Sequence, residues 1–356
     1  MLDSFVLTPA PAAGSPRERD NQYYELLAGG AKTRLLEGFL DLGLPELLGR
    51  KGPLSATEIC QTLVLHPNRT WKFLHLLSLV GLLERTVGDV GQDNATFALS
   101  TLAKQFFGND GSQGYYFRDL LTYWRNVATL PLVDVLRGME LPDAVRWPPP
   151  GLEQAEHLET WMRVTADGAL ATLTQSDVMQ GAQTLLDVGG GDGTIGCALA
   201  EKYPDLQVTV FNLPASAYLA RQNIANKKMG ERVSVHEGDF LTDELPSGFD
   251  RVLFSRVLCD WTPDVCRMLF EKSRRALRPG GKLVINEALI DGNLDYTVSW
   301  EFRYLFYDTF GRVLFKTLSI YEKLLAAAQF TIVKVSPMLD DAFYSVIEAV
   351  PMESEV

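Results

Sequence analysis

Apolar positions recur with two different periods along this chain, and the change falls near residue 180. In the front half the period is helical. Tyr24, Leu27, Ala31, Leu35, Phe39 and Leu42 follow one another at intervals of three and four, which marks one helical face. In the run GPLSATEICQTLVLHPNRTWKFLHLLSLVGLLERT, Ser55 with Glu58 three residues on predicts a capped helix start. His66-Pro67 then predicts a turn, and Trp71, Leu74, Leu77 and Leu82 the apolar side of a second helix. Between Thr86 and Leu99, the turn formers Gly88, Gly91, Asp93 and Asn94 separate two short apolar runs, as in a hairpin. Helix, turn, helix and hairpin make a winged-helix pattern. Residues 109–180 read as helical and aromatic-rich, with a PPPG loop ending at Gly151.

From Thr184 onward the pattern is that of strands. TLLDV, QVTVFN, VSVHE, RVLFS and KLVIN are β-rich apolar runs separated by helical segments, which predicts a parallel sheet in an α/β fold. FTIVKVS and AFYSVIEAV close the chain with a link too short for a crossover, so they are expected to pair antiparallel. Four segments result: a flexible tail over 1–20, a winged-helix-like domain over 21–108, a helical region over 109–180, and the sheet domain over 181–356.

Composition narrows the class. At 356 residues, 46% hydrophobic and 22% charged, the chain suits two globular domains. Its net charge of −12 argues against nucleic-acid binding, which needs a basic surface. The second helix of the winged-helix pattern carries Trp71, Lys72 and His75 and little else that is polar, so dimerisation is the expected role of this domain. Cys60, Cys197, Cys259 and Cys266 form no CxxC pair and lie at no metal-ligand spacing. They read as reduced thiols of a cytoplasmic protein with no metal. No run reaches the ~18 apolar residues a bilayer span requires, so no membrane association is expected. The first residues lack the basic start and apolar core of a secretory signal.

One motif carries chemistry. TLLDV runs into Gly189-Gly190-Gly191-Asp192-Gly193-Thr194, where a helix begins. Glycines at the carboxyl end of a first strand let the backbone approach a ligand closely. Gly191, Gly193 and Gly196 also fit the dinucleotide pattern GxGxxG. Three features favour S-adenosylmethionine instead. Asp187, two residues before the loop, suits an ammonium and would repel a pyrophosphate. Gly238-Asp239-Phe240 offers an acceptor and an aromatic face for an adenine. The sheet ends in an antiparallel pair.

LLDVGGGDGT, VFNLP, HEGDF, RVLCDW and LRPGGKLVINEALID, in that order, resemble the plant-type small-molecule methyltransferase family. That family includes hydroxyindole and flavonoid O-methyltransferases and bacterial natural-product tailoring enzymes. The resemblance covers nearly the whole chain. It implies a Rossmann-like seven-stranded sheet binding S-adenosylmethionine, a front dimerisation domain and a homodimer. It also implies that Asp187, Gly189 and Gly191 lie against the methionine part and that Asn212 and Leu213 meet the ribose. Asp239 and Phe240 would face the adenine, with Ser255 and Arg256 flanking the sulfonium. Asn212 stands where an acidic residue is usual, and its amide oxygen still accepts from a hydroxyl.

Cys259 of RVLCDW is the larger departure, because O-methylating relatives carry the histidine of LHDW there. A phenol ionises near ~10, so a positioned base usually contributes. A free thiol near ~8.5 is a poor substitute at neutral pH, which makes pocket wall the commoner reading of Cys259. Asp260 and Glu287 are the carboxylates nearest in motif order; in the family, the acid at the position of Glu287 orients the base. The resemblance further implies acceptor contacts from Trp124, His157, Met162, Trp300, Arg303, Tyr304 and Tyr307. VFNLP, the missing histidine and NLDYTVSW resemble a branch with C-methylating members. The expected function is methylation of a small phenolic, tyrosine-like acceptor at carbon. Phenol O-methylation and a cofactor-binding relative without transfer stand as alternatives.

Overall fold

The computed structural model describes residues 16–86, 95–107, 121, 125, 129–141, 149, 151–290, 294–306, 315–336 and 344–352. The chain divides into two compact units, Met1–Thr122 and Tyr123–Val356. This boundary leaves the helices Leu152–Val164 and Asp167–Gln175 in the sheet unit.

In the first unit the helix Pro16–Asp41 is followed by Leu44–Lys51, Ala56–Thr62 and Pro67–Leu79. Ser55 caps the third of these. Its hydroxyl accepts from the Glu58 amide at 3.2 Å, and its own amide donates to the Glu58 carboxylate at 2.8 Å. This is the reciprocal capping box expected from the spacing. Pro67 occupies the first turn of the next helix, where its missing N–H costs nothing. Strands β1 (Leu54–Ser55), β2 (Leu83–Thr86) and β3 (Thr96–Leu99) form a small antiparallel sheet in the order β1-β3-β2. Phe39, Leu44, Ile59, Leu74, Leu77 and Phe97 are fully buried at its core. The long first helix follows this pattern only at its C-terminal end: Phe39 is buried, whereas Tyr24 and Leu27 are exposed along with Tyr23 and Leu26.

The second unit is built on a seven-stranded sheet ordered β6-β5-β4-β7-β8-β10-β9. The strands are β4 (Thr184–Val188), β5 (Gln207–Asn212), β6 (Val233–Glu237), β7 (Phe249–Ser255), β8 (Leu277–Ala288), β9 (Phe330–Ser336) and β10 (Tyr344–Pro351). The first five run parallel, and β10 is antiparallel to both β8 and β9. The inner strands are buried on both faces, which is why they read as continuous apolar runs. One face packs on Phe254, Phe270, Tyr321 and Phe330, the other on Leu185, Leu199, Val210 and Leu253. The direction of chain passage reverses beside β4. The carboxyl ends of β4, β5, β6 and β7 therefore open together on one edge, where α/β sheets bind ligands.

Candidate active site

A cleft open to solvent lies at those strand ends. Its walls include Asp187, Gly189, Gly190, Gly191, Ser255 and Arg256, with Glu159 and Met162 opposite. Five of the nine sequence-derived cofactor residues thus meet in one place.

The glycine loop explains itself residue by residue. Gly189 (φ +70°), Gly191 (+58°) and Gly193 (+78°) adopt left-handed backbone, which costs any residue with a Cβ. A Cβ on Gly190 would lie 2.5 Å from Asp187 Oδ2, and one on Gly191 would lie 2.7 Å from Glu159 Oε2. Each carboxylate therefore packs directly on a glycine, at a distance that leaves no room for a Cβ. Asp187 is almost fully buried, and its Oδ2 has no hydrogen-bond partner. Burial alone raises its carboxyl to about 7. A buried polar oxygen without a partner is costly unless a ligand supplies a donor. The ammonium of S-adenosylmethionine would be such a donor.

Asn212 ends β5 and ties it to the loop. Its Nδ2 donates to Gly191 O at 3.2 Å, while its Oδ1 accepts from Leu213 N at 2.9 Å. One lone pair of that oxygen remains for a hydroxyl. Beyond β6, Asp239 folds a tight turn: Leu241 N donates to Asp239 Oδ1, and Asp239 N to Asp243 Oδ2. Phe240 packs edge-on against Trp261 with ring centroids 5.4 Å apart. Lys272, buried on the helix Pro263–Ala276, reaches under this turn. Its Nζ donates to Phe240 O and Asp243 O at 2.8 Å each and to Leu241 O at 3.4 Å. All three ammonium donors are thereby spent on holding the segment expected to face adenine.

Ser255 ends β7 and accepts from Asn286 Nδ2 at 3.2 Å. Arg256 follows in left-handed backbone (φ +60°). Its guanidinium donates to Thr165 O at 2.7 Å and Met162 O at 3.1 Å, and touches Met162 Sδ at 2.9 Å. It thus satisfies the last carbonyls of the helix Leu152–Val164 and fixes Met162 at the cleft wall. On the same helix Arg163 pairs with the buried Asp192 at 2.7 Å.

The three catalytic candidates lie around a short turn, Leu258–Asp260, after β7. Cys259 is buried and Asp260 half-buried, with the thiol 3.8 Å from Asp260 Oδ1. Glu287, on β8, is almost fully buried. Its Oε1 accepts from Val257 N at 2.7 Å and Leu258 N at 2.6 Å. The buried Lys316 donates to Leu258 O at 2.7 Å. Glu287 and Lys316 therefore hold the amide and the carbonyl of one residue, Leu258, and so fix the turn that presents Cys259. Burial, partly offset by those amides and by Lys316, puts the Glu287 carboxyl at about 7.

His157 is exposed on the helix Leu152–Val164, two residues from the buried Glu159, and is not part of the cleft wall. Trp124 and Tyr307 lie outside the described residues, as do the side chains of Trp300, Arg303 and Tyr304. The described backbone there is helical over Leu294–Glu301 and continues as a 3-10 turn over Phe302–Phe306. Glu159, Lys272 and Lys316 escaped sequence reading. Each looks like an ordinary solvated charge until the fold buries it. Among the described residues no cluster of three His, Cys, Asp or Glu side chains is placed to hold a metal. No described helix is long and apolar enough to cross a membrane.

A mostly parallel seven-stranded sheet closed by an antiparallel strand, with a glycine loop and a buried carboxylate at its strand ends, is the architecture of a Rossmann-like methyltransferase. The chain belongs to the O-methyltransferase domain family, whose model matches residues 154–331, half of its length, and it is an S-adenosylmethionine-dependent methyltransferase. It is 26% identical over 291 residues to the mitomycin biosynthesis 6-O-methyltransferase of Streptomyces lavendulae, covering 79% of this chain and 81% of that one. It is 27% identical over 305 residues to the L-tyrosine C(3)-methyltransferase of Streptomyces lavendulae, covering 80% of each. The crystal structure of the S-adenosylmethionine-dependent methyltransferase SibL in its apo form superposes with a TM-score of 0.74. The identity is 27%, covering 92% of this chain and 98% of that one.

Proposed function

We propose that this enzyme methylates a small phenolic acceptor, tyrosine-like in character, at a ring carbon. The observation that carries this reading is Cys259, a buried thiol in the turn where the family resemblance implies a histidine for O-methylation. The relatives include one named for transfer to oxygen and one for transfer to the C(3) carbon of tyrosine. When bound, S-adenosylmethionine supplies an already activated methyl group, and much of the remaining task is alignment. Arg256 holds Met162 as a wall for a flat acceptor. Glu287 and Lys316 position the 258–260 turn, and Asp260 takes the phenol or ring proton. Ring methylation releases its proton after the bond to carbon forms, so it tolerates a base other than imidazole. Phenol O-methylation is the second reading, favoured by the family's name.

The exposed Tyr23, Tyr24, Leu26 and Leu27 support a homodimer built through the first unit. Light scattering is expected to give twice the 39.6 kDa chain mass. The four described cysteines are buried and form no disulfide, as suits a cytoplasmic enzyme. Incubation with methyl-labelled cofactor and a panel of phenols including tyrosine, read by NMR, tests the atom. Label on a ring carbon supports the first reading, and label on oxygen the second.

A further inference from the structure

Two buried carboxylates lie against consecutive glycines of the cofactor loop, and only one was expected. Asp187 stands 2.5 Å from where a Gly190 Cβ would be, and Glu159 stands 2.7 Å from where a Gly191 Cβ would be. Glu159 comes from the helix Leu152–Val164, far from the glycine motif in sequence, and is 5% exposed. Both line the same cleft. The charges around Glu159 are committed elsewhere. Arg163, on its own helix, pairs with Asp192. Arg256, after β7, donates to Thr165 O and Met162 O. From the helix Pro214–Asn226, Ser216 hydrogen-bonds Glu159, and the loop adds a bond from the Asp192 backbone. Among the described residues neither Glu159 nor Asp187 forms an ion pair, and Asp187 Oδ2 has no partner at all.

We propose that Glu159 is a cofactor-binding residue that, with Asp187, forms a two-carboxylate clamp for the α-ammonium of S-adenosylmethionine. This rests on the reading that the glycine-loop cleft holds the cofactor's methionine part. Carboxylates beside an ammonium replace the water that burial removed, and each N–H bond gained is charge-assisted. Burial raises both carboxyls to about 7. An arriving cation therefore shifts them to the ionised form and releases protons near neutral pH.

Calorimetry with two ligands tests the clamp. S-adenosylhomocysteine carries the ammonium, whereas 5′-methylthioadenosine shares its adenosine end and lacks the amino-acid part. In Glu159→Gln, affinity for S-adenosylhomocysteine is expected to fall about tenfold or more, while affinity for methylthioadenosine stays within about twofold. Repeating the titration in buffers of different ionisation heat is expected to show proton release at pH 7 in the wild type and less in the variant. Unchanged S-adenosylhomocysteine affinity overturns the proposal, and so does an equal loss for both ligands, which marks a merely structural role. If Glu159→Gln does not fold, the ratio of the two affinities is read in Glu159→Asp, where an unchanged ratio has the same meaning. Gly191→Val separates the underlying reading. If it spares both ligands, the cleft is not the cofactor site; if it weakens S-adenosylhomocysteine while Glu159→Gln does not, only the clamp fails.

Discussion

Gly191 and Gly193 provide a matched pair for testing why the loop is glycine. Both have positive φ, +58° and +78°, so alanine at either pays about 1–2 kcal/mol of backbone strain. In a unit of this size that is a loss of roughly 2–8 °C in Tm. The two differ in what the new methyl meets. At Gly193 the nearest atom is Ile224 Cγ1 at 3.4 Å, an ordinary contact. At Gly191 it is Glu159 Oε2 at 2.7 Å, which must move, and that carboxylate is held by Ser216 and the Asp192 backbone. The methyl also projects into the cleft. Thermal unfolding is expected to show the strain loss for Gly193→Ala and a loss at least as large for Gly191→Ala. Titration with S-adenosylhomocysteine is expected to show near-normal affinity for Gly193→Ala and a loss on the order of 100-fold, about 2.7 kcal/mol, for Gly191→Ala. Equal affinity losses at the two positions would refute the reasoning, since strain alone would then explain both.

Further tests address the supporting groups. Lys272→Met leaves three carbonyls without their shared donor, and is expected to raise KM for S-adenosylmethionine about tenfold while kcat changes little; a fall in kcat with constant KM would argue against an adenine-side role. Glu287 has its folded carboxyl at about 7, above the ordinary 4.5, so its neutral form favours folding. Stability from this group is full below about pH 4 and declines as pH rises to 7, by up to roughly 3 kcal/mol at about 1.4 per unit. Urea unfolding of Glu287→Gln is expected to lose that part of the pH slope, and an unaltered slope would contradict the assignment. Cys259→Ala is expected to keep most turnover, whereas its complete loss with cofactor binding intact would make the thiol the base. Cys259→His is expected to create O-methylation only where a phenolic oxygen already faces the donor, as product NMR would show.

Much of the fold was legible because strand periodicity and burial coincide. TLLDV, QVTVFN and VSVHE read as strands and are β4, β5 and β6 with those bounds. The antiparallel close of β9 and β10 followed from the length of one link. The glycine loop and Asp187 were legible because a dense glycine run after a buried strand has few other uses. Lys272 was not, because its helix is amphipathic and a lysine there reads as solvated; only the approach of the 239–243 turn buries it. Glu159 was hidden likewise, and His157, two residues earlier, was the more conspicuous chemical group although it is exposed. A step of two residues turns a helix by about 200°, which separates the two. Arg256 was expected beside the sulfonium. It lines the cleft, and its use as a cap for the helix ending at Val164 depends on tertiary contacts that no local pattern encodes.

A crystal structure with S-adenosylhomocysteine tests whether the cofactor lies along the glycine loop. The expected density has the amino-acid part against Gly189 to Gly191 between Asp187 and Glu159, the ribose at Asn212, and the adenine beside Asp239 and Phe240. The sulfur is expected to point toward Met162 and the turn bearing Cys259. Density for the ligand elsewhere, or a sulfur facing away from Met162 and that turn, would contradict that placement.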